Sequence, residues 1–273
     1  MKKLFLVAVI ACASQCVRAQ TGMRKLTPAE VAYYTQLYRT LYTSMPHTYK
    51  NWKVTNDDAA AFDINNYWCQ DRNAPDNDCR GRTLSAVGTK DPYTLVNESA
   101  FAMTGEESGP LMAAAIQRIT DFTNAAQIAA ALKATANAKL SIQIVANIDG
   151  GDFALTYCSK TPPATIKLPV PATLALKGIR AAACPLMSSG AADMHADYYD
   201  AALIFLGKPV AEKTPEDRDD GLSGAHYKIG FDRAAIGKPV TQNIVVTIRG
   251  DSADIDAAIA LIDWKQLYAL IGK

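Results

Sequence analysis

The sequence predicts an α+β protein in which amphipathic helices pack mainly on one face of an antiparallel β-sheet and disulfides tie the loops. Residues 139–158 alternate apolar and polar side chains on both sides of a glycine pair, which predicts a β-hairpin with one buried face. Two helical patterns directly precede this hairpin, a spacing that favours an antiparallel α+β arrangement over βαβ repeats. A strand interrupted by prolines follows it and belongs at a sheet edge.

The N-terminus has the three parts of a secretory signal. Lys2 and Lys3 precede an apolar run over residues 4–13, and Val17-Arg18-Ala19 supplies the small-x-small cleavage pattern. We therefore expect residues 1–19 to be a signal peptide and the mature protein to be periplasmic or extracellular. The apolar run is shorter than the ~20 residues of a membrane span, so no transmembrane segment is predicted. A lipoprotein signal anchored at Cys12 is the alternative.

Removal of 19 residues from 273 leaves 254, which suit one large domain or two smaller ones. A division would fall near residues 100–107. It would separate an N-terminal helix with an irregular, cystine-tied region (20–105) from a helix-helix-sheet-helix region (106–273). One continuous domain over 20–273 is the alternative. Loss of Lys2, Lys3 and Arg18 leaves 25 basic against 27 acidic residues, a balance that argues against nucleic-acid binding.

The mature chain keeps four cysteines, an even number that predicts two disulfides in an exported protein. Of the three possible pairings we expect the sequential one, Cys69–Cys79 with Cys158–Cys184, because it closes the shortest loops. A metal or redox site is the alternative, but no CxxC spacing is present and the whole chain has three histidines. No metal and no cofactor is predicted.

The first helix of the mature chain has a complete N-terminal signal. Thr27 is a capping residue, Pro28 suits the first helical position, and Glu30 closes a capping box. The helix is predicted to continue to Met45, where the next residue is a proline.

Residues 47–105 are predicted to be polar and irregular, with short strands near Trp52 and Ile64. Within this region an aromatic pair adjoins Cys69, whose disulfide would hold a binding platform still. The sequence predicts here a binding site for a glycan or a peptide, formed by Tyr67, Trp68, Asp71, Asp76, Asp78 and Arg80. Burial of Trp68 beside the cystine is the alternative. The acids lack the spacing of an EF-hand loop, so calcium is not predicted.

Two helices are predicted before the central hairpin. Ser108 and Pro110 are expected to open the first, whose apolar side comprises Leu111, Ala115, Ile119 and Phe122. The second covers about residues 124–136 and has Ile128 and Leu132 on its buried side.

After the hairpin, residues 166–177 alternate inward apolar side chains with outward lysines and prolines, which predicts the edge strand. Residues 202–206 predict a strand buried on both faces, and residues 216–221 a solvated charged loop. The chain is expected to end with a strand over 243–249 and a helix capped by Asp251 or Ser252. The helical pattern slips and restarts near Asp263.

No catalytic constellation is recognisable in the sequence. Gly221-Leu222-Ser223-Gly224 matches half of a nucleophile elbow and His195 lies near Asp197, but neither pattern predicts a triad. We therefore expect an exported, non-catalytic binding or interaction protein of unknown ligand. The alternative is a secreted, glycosidase-like hydrolase whose acid and base are carboxylates distant in sequence. Two carboxyl groups ~5–9 Å apart in a cleft would favour the hydrolase, and a shallow surface with an exposed aromatic patch would favour the binding protein.

Overall fold

The computed structural model of the chain describes residues 23–58, 64, 67–69, 93–148, 152–158, 162–178, 200–208, 210–217, 222–235 and 238–273. The helices in these ranges are α1 (Pro28–Thr43), α2 (Gly105–Gln117), α3 (Ala125–Ala136), α4 (Ser252–Leu261) and α5 (Trp264–Tyr268). The strands are β1 (Met23–Lys25), β2 (Lys53–Asp57), β3 (Tyr67–Cys69), β4 (Leu95–Ala102), β5 (Lys139–Ala146), β6 (Asp152–Cys158), β7 (Ala164–Thr165), β8 (Leu174–Gly178), β9 (Asp200–Gly207), β10 (Val210–Asp217), β11 (Leu222–Ile229) and β12 (Asn243–Gly250).

The described strands form three antiparallel sheets. Seven of them lie in the order β2-β4-β5-β12-β9-β8-β7, three lie in the order β10-β11-β6, and β1 pairs with β3. All of these pairings are antiparallel. The predicted α+β class with an antiparallel sheet is therefore confirmed.

The seven-stranded sheet has a buried layer on each face. One face, which we call the helix face, shares a core with the first and the last helices. That core includes Leu37 and Leu41 of α1, Ile142 and Ile144 of β5, Val246 of β12, Ile255 of α4 and Trp264 of α5. The opposite, outer face packs on the three-stranded sheet through Leu203 and Phe205 of β9 and Val245 of β12, against Leu155, Ala225 and Tyr227. Strand β9 is buried on both faces, as predicted.

The two strands predicted to form the central hairpin exist, but they do not pair with each other. Strand β5 pairs with β4 and β12, whereas β6 pairs with β11 in the other sheet. The chain leaves β5 through Asn147, whose φ of 58° is a left-handed conformation that asparagine tolerates. Asn147 Oδ1 accepts from the Gln242 N–H at 2.9 Å, and Asn243 Nδ2 donates to Ile148 O at 2.9 Å. These bonds direct the chain from one sheet to the other, so the hairpin prediction is wrong.

Two segments predicted to be irregular or loop contain strands. Strand β4 lies within residues 47–105, and its four helix-face residues, Leu95, Asn97, Ser99 and Phe101, are buried. Because two of them are polar, the alternation of apolar residues that reveals a strand is hidden. Strand β10 continues to Asp217, two residues into the predicted charged loop, and pairs with β11 after it. Ser223 of the half-elbow therefore lies inside a strand and not at a strand-to-helix turn.

Helix α1 begins with the predicted capping box. The Thr27 side chain accepts from the Glu30 N–H, and the Glu30 carboxylate accepts from the Thr27 N–H at 2.8 Å. The helix ends at Thr43, two residues before the predicted end. At the C-terminus, Asp251 caps α4 and Asp263 caps α5, which confirms the helical restart.

Helix α2 differs from its prediction. It begins at Gly105 after Thr104, so Pro110 lies inside the helix and not at its start. None of its side chains is buried. Leu111 is 38% exposed, and Phe122 in the following turn is 73% exposed. The apolar repeat is real, but this side of the helix is not covered by the described core.

The proline-containing segment follows the sheet edge without joining the ladder. Strand β7 is the outermost strand, and residues 166–173 between β7 and β8 alternate half-buried and exposed side chains. The Ile166 N–H donates to Ala175 O and the Thr173 N–H donates to Phe205 O, at the two ends of this segment. Because Pro169 and Pro171 have no N–H to donate, the predicted edge strand is replaced here by an extended loop.

A buried carboxylate links the loop after α1 to α4. Asp254 is 5% exposed, and its Oδ1 accepts from Tyr49 Oη and from Lys50 Nζ, each at 2.5 Å. The Lys50 ammonium also lies 4.8 Å from the centre of the Trp52 ring. Burial, and then the bond to Asp254, raises the pKa of Tyr49, so its hydroxyl keeps the proton that it donates. None of the helices in the described residues combines the length and apolar character needed to cross a membrane.

Candidate functional site

The outer face of the sheet changes from apolar to polar along β4, β5 and β12. The strand register aligns Val96, Val145 and Val245 in one row, Glu98, Gln143 and Thr247 in the next, and Ala100, Ser141 and Arg249 in a third. Val245 packs against the three-stranded sheet, whereas Arg249 is exposed. The alternation of each strand therefore leaves a polar surface at the end farthest from the valine row.

A pocket of about 370 Å³ opens at this polar end. We call it the strand-end pocket, and it is lined by Thr55, Glu98, Ala100, Phe101, Ala102, Lys139, Leu140, Ser141 and Arg249. Ala100 and Ala102 project from the outer face of β4, and their small side chains leave room above the sheet. Lys139 and Arg249 are exposed at the pocket.

The lining carries two cations and one carboxylate among the residues described. Arg249 pairs with Ser141, two residues from Lys139 on the same strand, so the two cations occupy diagonal positions about 7–8 Å apart at Cα. Glu98 Oε1 accepts from Ser141 Oγ at 3.4 Å. The pocket therefore offers an anionic group two charged donors and a cationic group one acceptor.

A glycine positions these charges. A Cβ added to Gly250 would lie 3.0 Å from Lys139 O and 3.3 Å from Leu140 Cδ1. Because Gly250 has no side chain, the end of β12 can approach the beginning of β5 this closely. Lys139 and Arg249 are consequently held at the same edge of the pocket.

A second polar cluster lies between the end of α1 and β2. His47 Nδ1 is 3.1 Å from Asp57 Oδ1, and Nε2 is 2.8 Å from Tyr42 O. The His47 ring also stacks on Tyr42, with ring centres 3.9 Å apart. Burial, and then the Asp57 carboxylate, raises the pKa of Tyr42. Both imidazole nitrogens therefore already contact oxygen atoms of the protein.

The predicted aromatic site lies partly within the described residues. Tyr67 and Trp68 belong to β3 and pair with Lys25 and Arg24 of β1, so a two-stranded ladder holds their backbone. The other four residues predicted for this site, Asp71, Asp76, Asp78 and Arg80, lie outside the described residues. This site stays a prediction.

Several other sequence predictions fall on undescribed parts of the chain. Cys69 ends β3 and Cys158 ends β6, but Cys79 and Cys184 lie outside the described residues. The disulfide pairing, the signal peptide over residues 1–19 and the surroundings of His195 therefore stay predictions. In the described ranges, no group of three or more His, Cys, Asp or Glu residues is placed to hold a metal ion.

Sequence reasoning missed the strand-end pocket. The polar positions Ser141 and Gln143 were visible in the alternation of β5, but its neighbours β4 and β12 were not assigned to it. Glu98 and Arg249 reach the same surface because those strands flank β5. In comparisons with known proteins, no family model, no curated protein and no solved structure matches the chain.

Proposed function

We propose that this chain is an exported binding protein without catalytic activity, and that it holds its ligand in the strand-end pocket. The observation that carries this proposal is the lining itself, in which Lys139 and Arg249 stand at one edge of a pocket and Glu98 lies on β4, on the other side of β5 from Arg249. These groups lie on three strands of one sheet, and such rigid elements hold binding groups more firmly than loops do.

The charges of the lining favour a peptide over a glycan. A short peptide presents a C-terminal carboxylate that two cations can bind and an N-terminal ammonium that can donate to Glu98. A neutral sugar uses neither pair of charges. Glycan sites also present aromatic faces, and the aromatic residue of this lining, Phe101, is 1% exposed. We therefore assign the pocket to a short peptide or peptide terminus.

The competing hydrolase needs two carboxylates on opposite sides of a scissile bond. Among the described lining residues, the strand-end pocket has one carboxylate, Glu98. The His47 cluster supplies no alternative, because both of its ring nitrogens are engaged. This composition supports binding over hydrolysis at this site.

Isothermal titration with the tetrapeptide Ala-Ala-Ala-Ala tests the proposal. We expect binding by the peptide with free termini and at least about tenfold weaker binding by its acetylated, amidated form, a difference of roughly 1.4 kcal/mol. Arg249→Ala should weaken the free peptide similarly. Lys265→Ala is the matched control, because Lys265 is also an exposed cation but lies in α5.

Four results would contradict this assignment. Equal binding of free and capped peptides would remove the role of the charges, and unchanged affinity in Arg249→Ala would remove the pocket. Binding of chitotriose, unaffected by Arg249→Ala, would move the ligand site to the aromatic platform. Release of sugar from chitotriose would favour the hydrolase.

The platform of Tyr67 and Trp68 is the second candidate site, and its backbone pairing to β1 favours it.

We also propose that residues 1–19 are removed on export and that Cys69–Cys79 and Cys158–Cys184 disulfides tie the loops. Non-reducing peptide mapping and N-terminal mass analysis of exported protein check these directly. A Cys69–Cys158 peptide, or a retained Met1, would refute them.

A further inference from the structure

Helices α2 and α3 form an antiparallel pair whose outer surface has no partner among the described residues. Helix α2 buries none of its side chains, and Leu111, which lines the groove between the helices, is 38% exposed. A groove of about 390 Å³ lies between the two helices, lined by Leu111, Ala114, Ala115 and Arg118 of the first segment and Asn124, Ala126, Gln127, Ala130 and Ala134 of the second. The open side of this pair is therefore apolar and concave.

One side of α2 combines this apolar surface with opposite charges at its two ends. Glu107, Leu111, Ala114 and Arg118 follow one another at spacings of three and four residues, so they share one face of the helix. We call them the α2 stripe. Glu107 is in the first turn, and Arg118 is the C-cap with helical backbone angles. The stripe is about 16 Å long at ~1.5 Å per residue.

We infer that the α2 stripe is the contact surface for a second copy of this chain, packed on it antiparallel about a twofold axis. In that arrangement the same surface is used by both copies, as twofold symmetry requires. Leu111 faces the partner's Ala114, so a large side chain meets a small one at the centre. Glu107 faces the partner's Arg118, and the symmetry repeats both contacts.

The charges specify the antiparallel direction. A parallel arrangement would place Glu107 beside the partner's Glu107 and Arg118 beside the partner's Arg118, and like charges at an interface repel. One oxygen of Glu107 accepts from Asn51 Nδ2 at 2.8 Å, which leaves the second oxygen for the partner. Arg118 is exposed and has no ion pair among the described residues.

The groove supplies the rest of the contact area. One pair of short helices buries less than the roughly 1,000 Å² that a specific interface needs. Because Ala126, Ala130 and Ala134 line the same groove, α3 of each copy also meets the partner, and the contact becomes an antiparallel four-helix bundle.

Sedimentation analysis of the mature chain over a wide range of concentration tests this inference with a charge exchange. Wild type should show a monomer–dimer equilibrium. Glu107→Arg alone and Arg118→Glu alone should each weaken the dimer by about tenfold or more, since each places like charges together twice. The double variant Glu107→Arg/Arg118→Glu should recover the wild-type constant to within about threefold.

Glu106→Arg is the matched control, because it makes the same charge change in the same helical turn but lies off the stripe. It should leave the dimer constant unchanged, and all four variants should keep the melting temperature of the wild-type monomer. A monomer at every concentration overturns the inference. A dimer whose dissociation constant is unchanged in both single variants places the interface elsewhere. A double variant that dimerises as weakly as the single variants overturns the antiparallel register.

Discussion

Helices α1 and α2 both have an apolar side, but the protein uses them in opposite ways. Six residues of α1 are buried, and its apolar side packs against β4 and α5. None of the residues of α2 is buried. The difference teaches that helical periodicity marks which side of a helix can be covered, whereas the connections of the sheet decide whether anything covers it.

Chain connectivity explains the difference. Strands β4 and β5 are antiparallel neighbours, and the Met103 N–H donates to Ala138 O at 2.9 Å beyond the last strand pair. Helices α2 and α3 are therefore the long connection of a β-hairpin and extend from the end of the sheet. Helix α1 lies across the sheet, where its apolar side completes the core.

The comparison predicts its largest effect for matched leucine truncations. Leu37→Ala in α1 removes a side chain that is 1% exposed and should lower the free energy of unfolding by about 2–5 kcal/mol. Leu111→Ala in α2 should change it by less than about 0.5 kcal/mol in the monomer. Urea unfolding at low protein concentration measures both. Equal losses would show that α2 is covered in solution even in the monomer.

A smaller difference is expected between two hydrogen-bond deletions. Each removes a bond to an acidic residue in the first turn of a helix, Asp254 in α4 or Glu107 in α2. Tyr49→Phe leaves the buried Asp254 with Lys50 as its remaining bonded donor among the described residues, and should cost about 1.5–3 kcal/mol. Asn51→Ala removes an exposed bond to Glu107 and should cost less than about 0.5 kcal/mol. Thermal unfolding compares the two, and a Tyr49→Phe variant as stable as wild type would contradict the role assigned to this carboxylate cluster.

The N-cap residues of α1 and α2 give the next comparison. The Thr27 side chain accepts a bond from the Glu30 N–H, whereas the Thr104 side chain makes no capping bond. Thr27→Ala should therefore destabilise the protein by about 1 kcal/mol, and Thr104→Ala by clearly less. Chemical denaturation with the same probe resolves a difference of this size. If Thr104→Ala destabilised the protein more than Thr27→Ala, the N-terminus of α2 would be the better anchored of the two.

The smallest loss of stability is expected from the largest deletion, which removes helices α2 and α3. Replacing residues 104–137 by a two-residue Asn-Gly turn joins Met103 to Ala138 in the register that the strands already have. The shortened protein should keep its sheet and unfold within about 1 kcal/mol of the wild-type monomer, since neither α2 nor α3 contributes a described residue to the hydrophobic cores. It should also no longer dimerise. Loss of the folded sheet, seen by circular dichroism, would show that α2 and α3 support β4 and β5.

The sequence was informative where local chemistry decides the structure. The capping box at Thr27, the restart at Asp263 and the buried strand ending at Leu206 all follow from neighbouring residues, and the structure contains each of them. It was misleading where a single backbone angle decides, because the left-handed Asn147 separates two strands that alternation alone would pair. It was silent about β4, whose Asn97 and Ser99 occupy core positions.

The candidate site depends on the order of the strands in the sheet, whereas a single helix or strand depends mainly on its own residues. Glu98, Ser141 and Arg249 come from separate parts of the chain, and they share a pocket because β4, β5 and β12 are neighbours. No local pattern contains that information. The aromatic platform at Trp68 was predicted because its features are contiguous in sequence, and it stays a prediction.

The position of β12 has a consequence for the time at which the protein can fold. This strand is the middle strand of the seven-stranded sheet, yet it follows the other six strands of that sheet in the chain. Strand β5 can therefore pair with β12 only after about a hundred further residues have been synthesised, and such distant pairing is slow. The two halves of the sheet cannot join until β12 has been synthesised. For a protein exported as we propose, this order delays closure of the sheet until β12 is available.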